Sequence, residues 1–118
     1  MKITAFAPVI PVSDVDAAIR FFTQKLGFRQ EFRFGDYAGV ERDECLLHLS
    51  LVGNPNTGAL GSASVYLFCD DVDAIYEDLV QRKVVVLSEP KDYAYGMRDF
   101  VVADADGNRF TFGMPNPT

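Results

Sequence analysis

His48 is the single histidine of this 118-residue chain, and it lies in an apolar stretch that alternates in the manner of a β-strand. An imidazole whose ordinary pKa lies at about 6.5 can act as a general base or grip a polar ligand group. It can equally be hydrogen-bonded inside a partly buried strand, and spacing identifies no partner carboxylate. No Ser-His-Asp arrangement, phosphate-cradling glycine loop or CxxC pair accompanies it, so covalent catalysis finds no support in the sequence. The other chemistry is aromatic: ten phenylalanines and five tyrosines. Phe32, Tyr37, Tyr66 and Phe68 fall in strand-like segments, and Asp36 adds a negative charge beside Tyr37. Planar side chains stack on flat heterocycles, and their electron-rich faces attract cations, at about 0.5–2 kcal/mol per contact. Phe32 and Tyr66 read as well as core residues as they do as ligand contacts. Tyr37 reads as a ligand contact, and Phe34 as core or subunit packing.

Charge narrows the partners. The net charge is -6 and no block of Lys or Arg occurs, which removes nucleic acid from consideration. An acidic surface suits a cationic small molecule, though it also simply keeps soluble proteins apart. Hydrophobic content of 48 % and charged content of 24 % are those of a globular protein, and no apolar run approaches the roughly 20 residues of a membrane span. Met1-Lys2-Ile3-Thr4 leads into a strand pattern without a secretory h-region, so the expected location is cytoplasmic. Cys45 and Cys69, inside apolar strand runs, are expected to be buried free thiols.

A duplication organises the elements that must position these residues. Asp14-Val15-Asp16-Ala17 returns as Asp71-Val72-Asp73-Ala74, and Val15, Ala18 and Phe22 fall opposite Val72, Ile75 and Leu79, giving each copy an apolar stripe at helical spacing. Each copy reads as βαβββ. In the first, a strand spans Ile3 to Val12, and a helix capped by Ser13 or Asp14 runs to Leu26 and stops at Gly27. Strands then cover Phe28 to Phe34, Tyr37 to Arg42 and Cys45 to Leu51. In the second, Ser64 to Cys69 is a strand, Asp71 to Lys83 a helix and Val84 to Leu87 a short strand. Ser88 to Gly96 is a tyrosine-bearing loop, an ordinary connection or a lid, and Met97 to Ala103 and Asn108 to Gly113 form a hairpin turned by Asp104-Ala105-Asp106-Gly107.

The chain is thus expected to be one domain over 1–118: a first module over 1–51, a turn-rich hinge over 52–63, and a second module over 64–118. The fold class is α+β, with curved mixed sheets around a cleft. Half-domains of about 55 residues are marginal alone, so pairing within one chain or between two chains is expected.

Alternation assigns the faces of the strands. If Phe110 and Phe112 pack on a helix, Arg109, Thr111 and Gly113 face the cavity. Val65, Leu67 and Cys69 likewise leave Ser64, Tyr66 and Phe68 inside, and Leu47, Leu49 and Leu51 leave Leu46, His48 and Ser50 inside.

The doubled βαβββ order, Lys25-Leu26-Gly27-Phe28 after the first helix, and Met97-Arg98-Asp99-Phe100 followed by Asp104-Ala105-Asp106-Gly107-Asn108 resemble the vicinal oxygen chelate superfamily, which includes glyoxalases and bleomycin resistance proteins. With its Gly35-Asp36-Tyr37-Ala38-Gly39-Val40 run, the segment from Phe32 to Val40 is most similar to the bleomycin resistance proteins, which bind cationic glycopeptide drugs unchanged. The resemblance implies a homodimer, domain-swapped or not, and two aromatics near Phe32 and Tyr37 that sandwich a planar ring system. It also places the ligands of metal-dependent members at Ala7, His48, Ser64 and Thr111. One imidazole with an alanine and two hydroxyls is a poor donor set for a divalent ion, so neither metal nor cofactor is expected. The expected function is metal-free sequestration of a planar, cationic small molecule such as a bleomycin-type antibiotic, by Phe32, Asp36, Tyr37, His48, Tyr66, Phe68 and Thr111. The alternative is a glyoxalase-type lyase or metal-dependent dioxygenase.

Overall fold

The structure is a computed structural model that describes residues 1–116; the last two positions of the module expected over 64–118 lie outside the described residues. The chain forms two units, Met1–Leu60 and the residues from Gly61 onward, each a four-stranded mixed sheet with one helical segment. The expected α+β class with two βαβββ modules is what the chain adopts.

In the first unit, β1 (Val9–Val12) is followed by α1 (Val15–Arg20) and a π-helical turn (Phe21–Lys25), then by β2 (Arg29–Phe34), β3 (Tyr37–Arg42) and β4 (Cys45–Leu51). The sheet order is β1-β4-β3-β2, with β1 parallel to β4 and the other pairs antiparallel. Asp14 caps α1, its carboxylate accepting from the Ala17 amide at 3.0 Å. Where an unbroken α-helix was expected to Leu26, the last turn widens: the Leu26 amide donates to the Phe21 carbonyl, five residues back. The Phe28 amide then reaches the Phe22 carbonyl across Gly27 at φ 72, a left-handed stop that glycine adopts without penalty. The first strand is shorter than expected. Its β-formers begin at Ile3, but ladder pairing starts only at Val9 opposite His48, and Met1, Ile3 and Phe6 are exposed. A strand needs a neighbour to pair with, and composition alone does not supply one.

α1 packs on β3 and β4, burying Val15 and Phe22 with Ala38, Val40, Leu47 and Leu49. Phe28, just ahead of β2, is buried against Phe22, their rings edge to face at 5.4 Å. A bulge then changes the parity of β2. Gln30 opposes Val40, Glu31 is the extra residue, and Phe32 opposes Gly39. In a regular strand Phe28 and Phe32, four apart, would share a face; the bulge leaves Phe28 inside and turns Phe32 to the face away from α1.

The first part of the segment expected as a hinge over 52–63 is fastened to the sheet of the first unit. The hydroxyls of Thr57 and Ser50 lie 2.7 Å apart, and Asn54 Nδ2 donates to Ser50 Oγ and to the Asp36 carbonyl. Ser50 is consequently fully buried although it lies on the face away from the helix.

The second unit comprises β5 (Ser64–Phe68), α2 (Val72–Gln81), β6 (Val85–Asp92), β7 (Met97–Ala103) and β8 (Arg109–Pro115), in the order β5-β8-β7-β6 with β5 parallel to β8. Asp71 caps α2 as Asp14 caps α1, at 3.0 Å to the Ala74 amide, so the repeated quartet is a duplicated N-cap. The loop expected over Ser88 to Gly96 is mostly strand: β6 continues to Asp92, and only residues 93–96 form the turn. Its polar residues and Pro90 disguised it, and they are tolerated because β6 is an outer strand with two breaks in its register. The expected Asp104–Gly107 turn is present. Asp104 Oδ1 accepts from the Asp106 and Asn108 amides, and the fully buried Asn108 donates from Nδ2 to Asp104 Oδ2 and accepts from the Ala63 amide, tying β5 to the start of β8. Neither cysteine is in a disulfide, as expected, but both are half-buried rather than buried; burial nonetheless pushes the Cys45 thiol up. No helix among the described residues is long and apolar enough to cross a membrane.

Ion pairs join helix to sheet in both units. Arg33 pairs with Asp16 on α1, and Arg98 holds Asp73 on α2 at 2.8 Å and Asp92 at 3.1 Å. The hydrogen bond from each arginine, with its charge, holds Asp16 and Asp73 below the ordinary 3.8. A lowered folded-state pKa gives stability that is present above the unfolded value and lost as pH falls through the folded one. Burial raises half-buried Asp104, so its contribution runs the other way, complete below 3.8 and lost as pH rises through the folded value. The urea midpoint is therefore expected to drop below about pH 4, and Asp73→Asn to flatten that limb. An acid limb of unchanged steepness in the variant would show that the pair does not couple to folding.

Candidate functional site

Phe32, Tyr37 and His48 come together on the face of the first sheet away from α1. His48 opposes Gly39, which opposes Phe32, so the ring of Phe32 lies over a residue with no side chain; a Cβ at Gly39 would collide with that ring. The Phe32 and His48 rings meet edge to face at 5.3 Å, Tyr37 and His48 at 5.2 Å, and Phe32 and Tyr37 run nearly parallel, 21° apart, at 6.3 Å. The Tyr37 hydroxyl and His48 Nδ1 share a 2.8 Å hydrogen bond. Tyr37 thus anchors the imidazole, and all three rings remain half-exposed. Phe34, expected in core or subunit packing, faces the same way and is 86 % exposed, which removes the core alternative and leaves the subunit one untouched. Asp36 lies exposed in the β2–β3 turn next to Tyr37, and its backbone carbonyl accepts from Leu51 and Asn54.

The second unit has its own version of this arrangement. Phe100, Phe110 and Phe112 are buried on the α2 side, which leaves Tyr66, Phe68 and Thr111 on the other face, as alternation predicts. Thr111 opposes Tyr66 in the β5–β8 ladder. The Tyr66 ring lies over Gly113, where a Cβ would again collide with it, and meets Phe68 at 5.0 Å; Phe68 is 75 % exposed.

Sequence reasoning missed the centre of this second cluster. Asp99, opposite Gly113, is only 3 % exposed, and its Oδ2 accepts from the hydroxyls of both Tyr66 (2.9 Å) and Tyr95 (2.7 Å). Burial and the hydrogen bond to Asp99 push the Tyr66 phenol up to about 12; the hydrogen bond to Asp99, then burial, does the same for Tyr95. Both remain protonated donors at neutral pH. Tyr95 is in turn stacked on Tyr93, 3° from parallel at 5.1 Å. The signal for Asp99 was there: alternation with buried Phe100 and Val102 sends residue 99 to the face that carries Thr111. Tyr95, in a turn without periodicity, gave none.

The residues at the metal-ligand positions implied by the resemblance do not fit a divalent ion. Ala7 precedes β1, Ser64 and Thr111 offer neutral hydroxyls, and His48 uses one ring nitrogen on Tyr37. Among the described residues no three His, Cys, Asp or Glu side chains are grouped to hold a metal ion.

Residues 3–112 match the family model described as Glyoxalase/Bleomycin resistance protein/Dioxygenase superfamily. The chain is 27% identical over 121 residues to a bleomycin resistance protein from Geobacillus stearothermophilus, covering 89% of this chain and 92% of that one. A bleomycin resistance protein of Staphylococcus aureus matches to the same extent. Among solved structures, the bleomycin-binding protein from bleomycin-producing Streptomyces verticillus, complexed with copper(II)-bleomycin, superposes with a TM-score of 0.76 at 28% identity, covering 95% of this chain and 96% of that one.

Proposed function

Since the chain belongs to the glyoxalase/bleomycin resistance protein/dioxygenase superfamily, we propose that it is a metal-free binding protein that sequesters a planar, cationic small molecule of the bleomycin type, and so confers resistance to it. The observation that carries this reading is the aromatic face of the first unit, where half-exposed Phe32 and Tyr37 run nearly parallel beside an anchored His48. It is supported by similarity over nearly the whole chain to proteins named for resistance to, or binding of, that drug. Rings seated over glycine present flat surface without a rotamer search, which lowers the ordering cost of binding. Asp36 at the adjacent turn supplies negative charge to a cationic ligand, and Tyr66, Phe68 and Thr111 line the corresponding face of the second unit. Binding makes and breaks no bond, so protection scales with protein concentration and Kd rather than with turnover. The proposal includes a homodimer, to be checked by sedimentation, and a cytoplasmic location.

Titration calorimetry of the purified protein with copper(II)-bleomycin tests it. Saturable binding is expected that weakens as salt rises from about 0.05 to 0.5 M, because screening shortens the reach of exposed charges. Absence of heat at high drug concentration would remove the drug-specific reading. The enzymatic alternative differs in requiring bound metal: one equivalent of nickel, zinc, iron or manganese, lost together with turnover on chelation, would favour it.

A further inference from the structure

We propose that Asp99 and the rings of Tyr66, Phe68 and Tyr95 form a receiving site for an organic cation, an alkylated ammonium or a guanidinium group carried by the bound small molecule. The inference rests on the reading above only in taking the ligand to be a small molecule.

A carboxylate removed from water is costly unless it is paired with a positive group. Asp99 is 3 % exposed, yet its hydrogen-bond partners are two neutral phenols; Lys91 stands opposite it in the β6–β7 ladder, but its ammonium lies over the Tyr93 ring, and no Lys, Arg or His among the described residues forms an ion pair with the carboxylate. The adjacent Arg98, the nearest candidate in sequence, is committed on the opposite face to Asp73 and Asp92. Two hydroxyl donors could be satisfied by a neutral asparagine oxygen. An aspartate at this position places a full negative charge where hydrogen bonding alone does not ask for one, on the face of the sheet away from α2.

The surroundings match a cation rather than a neutral guest. Both phenol oxygens converge on the same Oδ2, which fixes the attitude of two rings around the carboxylate. Phe68 extends the wall from Tyr66, and Tyr93 backs Tyr95. Tyr66 is 39 % and Tyr95 61 % exposed, so their faces are open to a ligand. Aromatic faces around an anionic floor are the arrangement that selects quaternary ammonium groups. The same cluster already holds one cation of its own, the Lys91 ammonium at 5.5 Å over the Tyr93 ring.

The test compares phenyltrimethylammonium with tert-butylbenzene, its neutral isostere, by amide chemical-shift titration of the whole chain. The wild type is expected to bind the cation at least 10-fold more tightly, with shifts centred on residues 66–68 and 95–100. Asp99→Asn, which keeps an acceptor for both phenols, is expected to abolish that preference at an unchanged melting temperature. Equal affinity of the wild type for both probes, no binding of the cation, or a preference that survives in a folded Asp99→Asn would each overturn the proposal. The wild-type comparison needs no variant, so it decides even if Asp99→Asn fails to fold. Calorimetry with copper(II)-bleomycin separates this outcome from the drug reading. A wild type that prefers the cation but ignores the drug sinks only the latter, and one that takes the drug but shows no preference between the isosteres sinks only the site.

Discussion

Asn108→Ala is expected to destabilise the protein by about 2–4 kcal/mol, although the residue lies in a turn and touches no ligand surface. The side chain is fully buried, accepts from the Ala63 amide at 3.1 Å and donates to Asp104 Oδ2 at 2.8 Å. Removing it leaves a backbone N–H unsatisfied and strips one donor from a half-buried carboxylate, each costing about 1–3 kcal/mol. It also cuts the tie that sets Ser64 opposite Arg109, the first pair of the β5–β8 ladder. Urea unfolding followed by circular dichroism should show a lower midpoint at unchanged slope, with a melting temperature lower by roughly 10–15 °C. A variant within about 0.5 kcal/mol of wild type would mean that water replaces the amide, and that the tie between turn and strand is dispensable.

The second large effect falls on binding. Gly39→Val is expected to weaken binding of copper(II)-bleomycin by roughly 2- to 30-fold, the equivalent of one aromatic contact of about 0.5–2 kcal/mol. Gly39 is buried in β3, and its backbone does not require glycine; valine is a good strand former. What glycine supplies is space, because the Phe32 ring occupies the volume a Cβ would take. Valine must displace that ring, ending its edge contact with His48, and the overpacking should lower stability by about 1–3 kcal/mol. Adding Phe32→Ala clears the collision, so the double variant should recover much of the stability and none of the binding. Wild-type affinity in Gly39→Val would show that this ring is not part of the drug's platform.

Much of the scaffold could be read before the structure. The repeated Asp-Val-Asp-Ala quartet marks two helix starts because an N-cap is local chemistry, one side chain answering one amide. β3, β4 and β7 fall where their alternation puts them, since each has both neighbours in its sheet and one face under a helix. The sequence was least readable at the sheet margins. β1 and β6 are outer strands whose extent is set by what pairs with them, and the Ile3–Pro8 run and the Ser88–Asp92 run mislead in opposite directions. In the candidate site, alternation turns His48 away from the helix, but Phe32 joins Tyr37 and His48 only through the bulge in β2, which strand periodicity does not show. Asp99 is masked by its place between Arg98 and Phe100 in a family-like motif, where its charge matches a surface position and only the pleat tells which way it faces. Tyr95 joins it only through a turn that periodicity does not describe.

The extra residue in β2 works like a clutch between two sets of demands. Phe28, Phe32 and Phe34 are separated by even numbers of residues, and a strand paired without the bulge at Glu31 would commit all three to one surface. With it, the chain ahead of the bulge answers to the hydrophobic interior and the chain beyond it to the opposite face, where Phe32 meets Tyr37 and His48. Substitutions beyond the bulge can therefore change that face without disturbing the interior.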